Sequence, residues 1–342
     1  MRLSDLDTPA ALIDLDIVER NLARMAAYCR DHQLNLRPHT KTHKTPELAH
    51  WQMRSGAIGI TVAKVGEAEV MAAAGLPDIL VAYPVVGAQK CERLAAVARR
   101  ARVSVAVDSI EAAEGLSAAA ARRQAQFGAL LEINTGFGRC GVSAGPEAVA
   151  MARHICALPG LRFRGVMVYP GHFLANSEKH HELLAQERTR LLEILDLFAK
   201  ADFPLEVISG GSTPSAQLTH QLPGVNEIRP GTYIFNDMNT IGTGACGIED
   251  CAASVLVTVV SNAVPGRMMV DGGSKTFSSD RLRTGNGAGF GRIMEDPAAV
   301  IMGFSEEHGH VDLSASQARH RVGDRLRVIP NHVCAMVNLH DE

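Results

Sequence analysis

Residues 103–133 read VSVAVDSIEAAEGLSAAAARRQAQFGALLEI: a short apolar run (103–108), a stretch rich in Ala, Glu and Arg (109–123), and a second apolar run (128–133). Two strand candidates separated by a helical segment need a crossover connection, which makes them parallel neighbours, because a tight hairpin joins only antiparallel strands. The pattern extends in both directions. Further strand candidates fall at 34–38, 57–63, 78–83, 163–169, 205–209 and 226–229, with helical segments at 66–74, 88–102, 147–157 and 177–200. Ahead of them, Val18, Leu22, Met25 and Cys29 recur at spacings of three and four, which marks 17–32 as an amphipathic helix. Eight strands alternating with helices predict an α/β fold, a closed (β/α)8 TIM-like barrel rather than an open doubly wound sheet. Past residue 250 the texture changes: 251–261, 267–271, 308–313 and 325–329 are β-rich, with Gly and Pro turns. The strand-like segment 10–14 precedes the first helix and suits this second region. The expected organisation is a barrel over 15–245 and a β-rich domain from 1–14 and 246–342, in keeping with roughly one domain per 150 residues.

Composition narrows the function. Apolar residues make up 46% and charged residues 21%, so large cores can form. A net charge of -3 and 4% aromatics give neither a basic face nor a stacking surface for nucleic acid. The apolar stretches fall short of the ~18–20 residues that cross a bilayer, and no apolar signal region follows Arg2. Seven scattered cysteines are not a disulfide framework. A cytoplasmic enzyme is expected.

Three clusters could carry chemistry. The first is RPHTKTHKTP at 37–46, directly after the first barrel strand, where barrel active sites are built. A lysine flanked by cations at a strand end is suited to imine formation, although the same residues could form a solvated loop. The second is Ser209-Gly210-Gly211-Ser212-Thr213-Pro214, ahead of a helical stretch, where glycines, amides and hydroxyls can hold an oxyanion. Such a sequence is often only a turn. Gly231 and Tyr233 follow the next strand and could complete a phosphate cradle, or Tyr233 could simply pack with a wet tip. The third is His332-Val333-Cys334. If extended, the imidazole and thiol share one face and can bind a metal with positions left open; alone, the pair is a weak signal.

Taken together these motifs resemble one family, the D-threonine aldolase and D-serine dehydratase group of fold-type III pyridoxal-phosphate enzymes, whose barrel is similar to that of alanine racemase. The resemblance runs through Asp7-Thr8-Pro9, the RPHTKTHK element at 37–44, Gly138-Arg139-Cys140-Gly141-Val142, the Ser209 loop, Arg229-Pro230-Gly231-Thr232-Tyr233 and Pro330-Asn331-His332-Val333-Cys334, almost the whole chain. It implies that Lys41 holds pyridoxal 5'-phosphate as a Schiff base, with His39 beside it and Lys44 only a neighbour. It implies that Ser209, Gly210, Gly211, Ser212, Thr213, Gly231 and Tyr233 hold the phosphate, and that Arg139 faces the pyridine nitrogen. Tyr169 and His172 join Lys41 as the catalytic set. His332 and Cys334 are the implied ligands of a divalent metal, Mn, Zn or Mg. The implied activity is a metal-dependent lyase for D-β-hydroxy-α-amino acids of the D-threonine aldolase type, giving glycine and acetaldehyde. The alternatives are D-serine dehydratase, giving pyruvate and ammonia, and D-3-hydroxyaspartate lyase. An amino-acid racemase or a non-catalytic pyridoxal-phosphate-binding protein suits the chain less well, because the first needs no metal and the second lacks a β-domain. The family's aldolases tend to read His-x-Asp, and His-x-Cys is the dehydratase version. Relatives usually continue beyond the position of Glu342, so a closing piece of the β-domain is expected to be missing. The expected partners are a small D-amino acid and a second copy of the chain, with no nucleic acid or membrane.

Overall fold

After a first strand, β1 (Ala10–Ile13), and the helix Leu15–Asp31, the chain lays down eight strands. They are β2 (Asn35–Leu36), β3 (Ile60–Val62), β4 (Asp78–Val81), β5 (Arg102–Val107), β6 (Phe127–Ile133), β7 (Leu161–Val168), β8 (Val207–Gly210) and β9 (Glu227–Ile228). Each coincides with one of the apolar runs. They form one parallel sheet in the order β2-β9-β8-β7-β6-β5-β4-β3. The edge between β2 and β3 is shut just beyond the β2 ladder by a parallel bridge, His39 to Thr61. There the amide of Ile58 donates to Leu36 O at 2.9 Å and that of Thr61 to Pro38 O at 2.8 Å. In the computed structural model residues 5–171, 180–282 and 289–341 are described. They divide into two compact units, Ala23–Gly231 and Met1–Leu22 with Thr232–Glu342.

Period-two alternation decides what each strand shows to either side. Leu80, Ala106, Leu130, Met167 and Val207 pack together as the barrel interior. Their neighbours Ile79, Val81, Val105, Val107, Leu131, Val166 and Val168 join Leu94, Leu116, Ile155 and Leu191 of the surrounding helices in a larger outer core. Fully burying one such side chain is worth about 1.5–3 kcal/mol, so this outer layer fixes the register of the strands. Register then carries Ala82, Asp108, Glu132, Tyr169 and Ser209, each two residues beyond an interior residue, to the C-terminal mouth of the barrel. In this unit the helix Pro46–Arg54 went unforeseen: it starts within the basic cluster, with Pro46 at its first turn, where a missing N–H is harmless.

The other unit is an antiparallel sheet. β10 (Ala253–Ser261), β11 (Arg267–Val270), β12 (Arg292–Ile293), β13 (Val300–Phe304), β14 (Gly309–Asp312) and β15 (Arg325–Ile329) run in the order β12-β15-β10-β11-β14-β13. β1 pairs with β10, Leu12 opposite Ser254, so the early strand belongs with the β-rich region. β12 and β13 were not visible as runs. The first has two residues, and the second contains Gly303 at a register shift, which breaks its alternation. No helix among the described residues is long and apolar enough to cross a membrane.

Candidate active site

The five basic side chains at 37–44 are sorted by the fold. Arg37 turns into the barrel, its Nε donating to Glu227 and its Nη1 to Asp78, both at 2.7 Å. A Cβ on Gly59 would come within 2.3 Å of that Nη1, so only glycine lets the guanidinium pass. His43 is buried; its Nδ1 accepts from the Thr45 amide at 3.0 Å and its Nε2–H donates to Gln52 at 3.3 Å. Burial brings its pKa down to about 4. His39 is also buried and held well below the usual imidazole range by desolvation, then by the charges of Lys41 and Arg229. Its Nδ1 accepts from the Lys41 amide at 3.3 Å, capping the single 3-10 turn Thr40–Thr42. Lys44 lies 3.8 Å from Glu67. Lys41 is exposed, and its ammonium has no hydrogen bond or ion pair among the described residues. The cluster is therefore not a solvated loop; Arg37, His39 and His43 form a buried framework, and of the two exposed lysines Lys44 is paired with Glu67.

Beneath it lies a buried polar network that sequence reading missed. Arg229 is 7% exposed; it donates to the Ser209 hydroxyl and, at 2.8 Å, to Val168 O. Ser209 in turn donates to Glu227, so its hydroxyl is committed inside the barrel. The other predicted phosphate residues are placed as a tight turn. Gly211 has φ +74°, and a Cβ there would lie 2.8 Å from Thr219 Oγ1. Ser212 and Thr213 follow, both buried. A Cβ on Gly231 would meet Thr42 Oγ1 at 3.0 Å and His39 O at 3.1 Å, which brings Gly231 onto the Lys41 turn. The helix expected after this loop is only the 3-10 turn Ala216–Gln221, so any anion there depends on loop backbone rather than on a helix dipole. Tyr233 belongs to the other unit, buried in the 3-10 turn Thr232–Ile234.

Across the mouth, the loop after β6 brings Arg139 over the ring of Tyr169, 4.3 Å from its centroid, with Phe137 edge-on to the same ring. These three line a cleft with Glu132, Asn134 and Thr135. Glu132 is 4% exposed, and burial pushes its carboxyl up against the opposing pull of Arg139 and Arg229. Its position on β6 is the signal that would have found it, two residues past Leu130. His172 lies outside the described residues.

His332 and Cys334 are not on a strand. Pro330, which has no N–H to continue a ladder, ends β15. His332 caps a short helix, Val333–Val337, and Cys334 sits in its first turn. The reason is Asp237, whose carboxylate accepts from the Val333 amide at 3.0 Å and caps its own helix through Thr240. The two side chains still meet. Hydrogen bonding to Cys334, then to Asp280, raises the His332 pKa to about 9 despite burial. Cys334 Sγ also lies 3.8 Å from Thr232 Oγ1. Asp280 holds His332 Nδ1, the arrangement by which a carboxylate orients a metal-binding imidazole and leaves Nε2 for the ion. No group of three or more His, Cys, Asp or Glu side chains converges among the described residues; the imidazole and thiol of His332 and Cys334 are donors of the types that divalent metals take.

Two family models match: alanine racemase, N-terminal domain, over residues 13–238, and the putative serine dehydratase domain over 252–342. The D-threo-3-hydroxyaspartate dehydratase of Delftia sp. strain HT23 is 36% identical, over 97% of this chain and 92% of that protein. The chain belongs to the D-threonine aldolase and D-serine dehydratase family. It is thus a lyase of the pyridoxal-phosphate class built on an alanine racemase-like barrel. The solved D-threonine aldolase of Filomicrobium marinum, a member of the family, superposes with a TM-score of 0.92 at 33% identity, covering 99% of this chain and 91% of that one. Two solved variants of a D-threo-3-hydroxyaspartate dehydratase, 34% and 35% identical, carry alanine for a histidine and for a cysteine two residues further on. Each superposes with a TM-score of 0.90 and covers 99% of this chain, with 92% and 94% of its own chain covered in turn. The cysteine variant is in the metal-free form.

Proposed function

We propose that this chain is a pyridoxal-phosphate- and divalent-metal-dependent lyase for D-β-hydroxy-α-amino acids, of the D-threonine aldolase type. The observation that carries the reading is Lys41: an exposed amine with no hydrogen bond or ion pair among the described residues, on a turn whose other basic groups are buried or ion-paired. The cofactor suits the residues around it, because the Gly211 and Gly231 positions are tight against Thr219 and against Thr42 and His39, which packs the glycine loop and the Lys41 turn closely, and glycine backbone leaves its amides open to an anion. Lys41 would hold the cofactor, with His39 neutral beneath it. Gly210, Gly211, Ser212, Thr213 and Gly231 would cradle the phosphate, with Ser209 holding the strand end below and Tyr233 assigned from the family resemblance alone. Tyr169 would face the ring, and Arg139 and Arg229 would place guanidinium groups near it. His332 and Cys334 would hold the metal, with Asp280 fixing the imidazole. The cofactor supplies an electron sink, and the metal stabilises negative charge on the substrate's β-oxygen. Lys41 and Tyr169, with His172 as the third candidate, would move the protons. Cofactor on residues 15–245, metal on 1–14 with 246–342, a homodimeric assembly and a cytoplasmic location are part of the proposal.

A second reading, dehydration of D-serine or D-3-hydroxyaspartate, is favoured by the His–Cys pair. The two variants of D-threo-3-hydroxyaspartate dehydratase replace a histidine and a cysteine at the same spacing. Incubation with D-threonine, D-serine and D-3-hydroxyaspartate, with and without Mn(II) or Zn(II), separates the readings. Glycine with an aldehyde supports the aldolase, and a keto acid with ammonia supports the dehydratase. No metal-dependent turnover of any of them overturns the proposal.

A further inference from the structure

The helix His180–Lys200 turns one charged side chain fully inward. Glu187 is completely buried, and neither carboxyl oxygen has a hydrogen-bond partner among the described residues. Arg190, one turn on, comes only to 3.9 Å, because its guanidinium donates instead to the carbonyl oxygen of Thr135. The Thr135 hydroxyl, also buried, lies against the carboxyl, where its interaction opposes the rise that burial causes, although neither group closes a full hydrogen bond. Three of the five buried side-chain polar atoms left unpartnered among the described residues thus belong to one contact.

A buried carboxylate with no close cation is costly in a position where leucine would pack. An uncharged acid is far less so, and its O–H is a donor that the Thr135 oxygen can accept. Burial pushes the carboxyl in that direction, and Arg190 is the one charged group that reaches it among the described residues. Thr135 opens the turn in which Asn134 Oδ1 accepts from the amides of Gly136 at 2.9 Å and Gly138 at 3.1 Å. Gly136 has φ +117°, and a Cβ there would lie 2.6 Å from Arg190 Nη1. The turn leads to Arg139 over Tyr169, and Thr135, Arg139 and Tyr169 line the same cleft. The helix therefore holds the loop backbone through Arg190 and sets the Glu187 carboxyl against the Thr135 side chain.

We propose that Glu187, held as the uncharged acid, is a positioning residue for this cleft: its carboxyl O–H donates to the Thr135 hydroxyl and locks the turn that sets Arg139 over Tyr169. The proposal rests on the reading of the cleft as a cofactor site. Loss of that proton as pH rises releases the turn. Asn134 and Arg190 would then hold the backbone alone, and Arg139 would lose its fixed height above the ring.

The test compares wild type with Glu187→Gln, Glu187→Leu and Thr135→Val. It follows pyridoxal-phosphate binding by absorbance titration of the apoprotein and kcat/KM for D-threonine, both across pH. Glutamine keeps a donor toward Thr135 and cannot ionise. E187Q is expected to bind the cofactor as wild type does and to lose the wild-type fall with rising pH. E187L and T135V, with thermal midpoints unchanged, weaken cofactor binding and lower kcat/KM by roughly tenfold to a hundredfold, the scale of a small misplacement. Their effects do not add in the double variant, because both break one contact. Wild-type cofactor affinity and pH profile in E187L overturn the proposal, as does an E187Q that retains the fall with rising pH or binds the cofactor as weakly as E187L. If E187L does not fold, T135V decides by the same criteria. A wild-type protein that binds the cofactor but turns over no D-hydroxy amino acid defeats the proposed function instead, and the titration still reads Glu187.

Discussion

Lys41 and His43 stand two positions apart in one basic motif and meet opposite environments. The motif itself was legible as charge at a strand end, but the sorting was not. Nothing in RPHTKTHK says that Arg37 turns inward to Glu227, 190 positions away, or that both histidines are buried and neutral. The sorting has a consequence for stability. His43 titrates near 6.5 in an unfolded chain and is held near 4 in the fold, mainly by burial. The folded state thus favours the neutral ring. This contribution is complete above about pH 6.5 and is lost as pH falls toward 4, by on the order of 3 kcal/mol. Urea unfolding at pH 7.5 and pH 4.5 should show a smaller acid loss for His43→Asn than for wild type. Equal losses in the two proteins would mean that His43 is not the group responsible.

At the scale of elements, the parallel strands were legible because each is an apolar run bounded by polar helices, and their register follows from which face meets the outer core. The metal pair shows the limit. Its predicted strand is a helix because Asp237 caps Val333 from 96 positions away, a contact no local pattern announces. Ser209 shows the same limit, since its hydroxyl is drawn to Glu227 and Arg229 by pairing across strands. The glycine loop was readable in kind, and the structure adds which glycine is constrained. Gly211 combines φ +74° with 2.8 Å of clearance, so Gly211→Ala should destabilise the protein by about 1–3 kcal/mol and weaken pyridoxal-phosphate binding. Gly210→Ala, whose Cβ would meet its nearest atom at 3.3 Å, should do less of both. A denaturant melt and a cofactor titration on the two variants check this ordering, and equal effects would remove Gly211 from its proposed role.

At the scale of the whole molecule, two folding units carry two kinds of chemistry: an amine on a barrel turn in one, and an imidazole with a thiol at a capped helix in the other. A homodimer is expected, since a single symmetric interface is the commonest closed assembly. Sedimentation of the active protein over a wide concentration range should show it, and an active monomer throughout would exclude it. The proposal as a whole stands on Lys41. Reduction of the pyridoxal-phosphate-loaded protein with borohydride, followed by peptide mapping, should place the pyridoxyl group on Lys41 and abolish turnover. A label on Lys44, on Lys64 or on no lysine of a cofactor-loaded sample would contradict it.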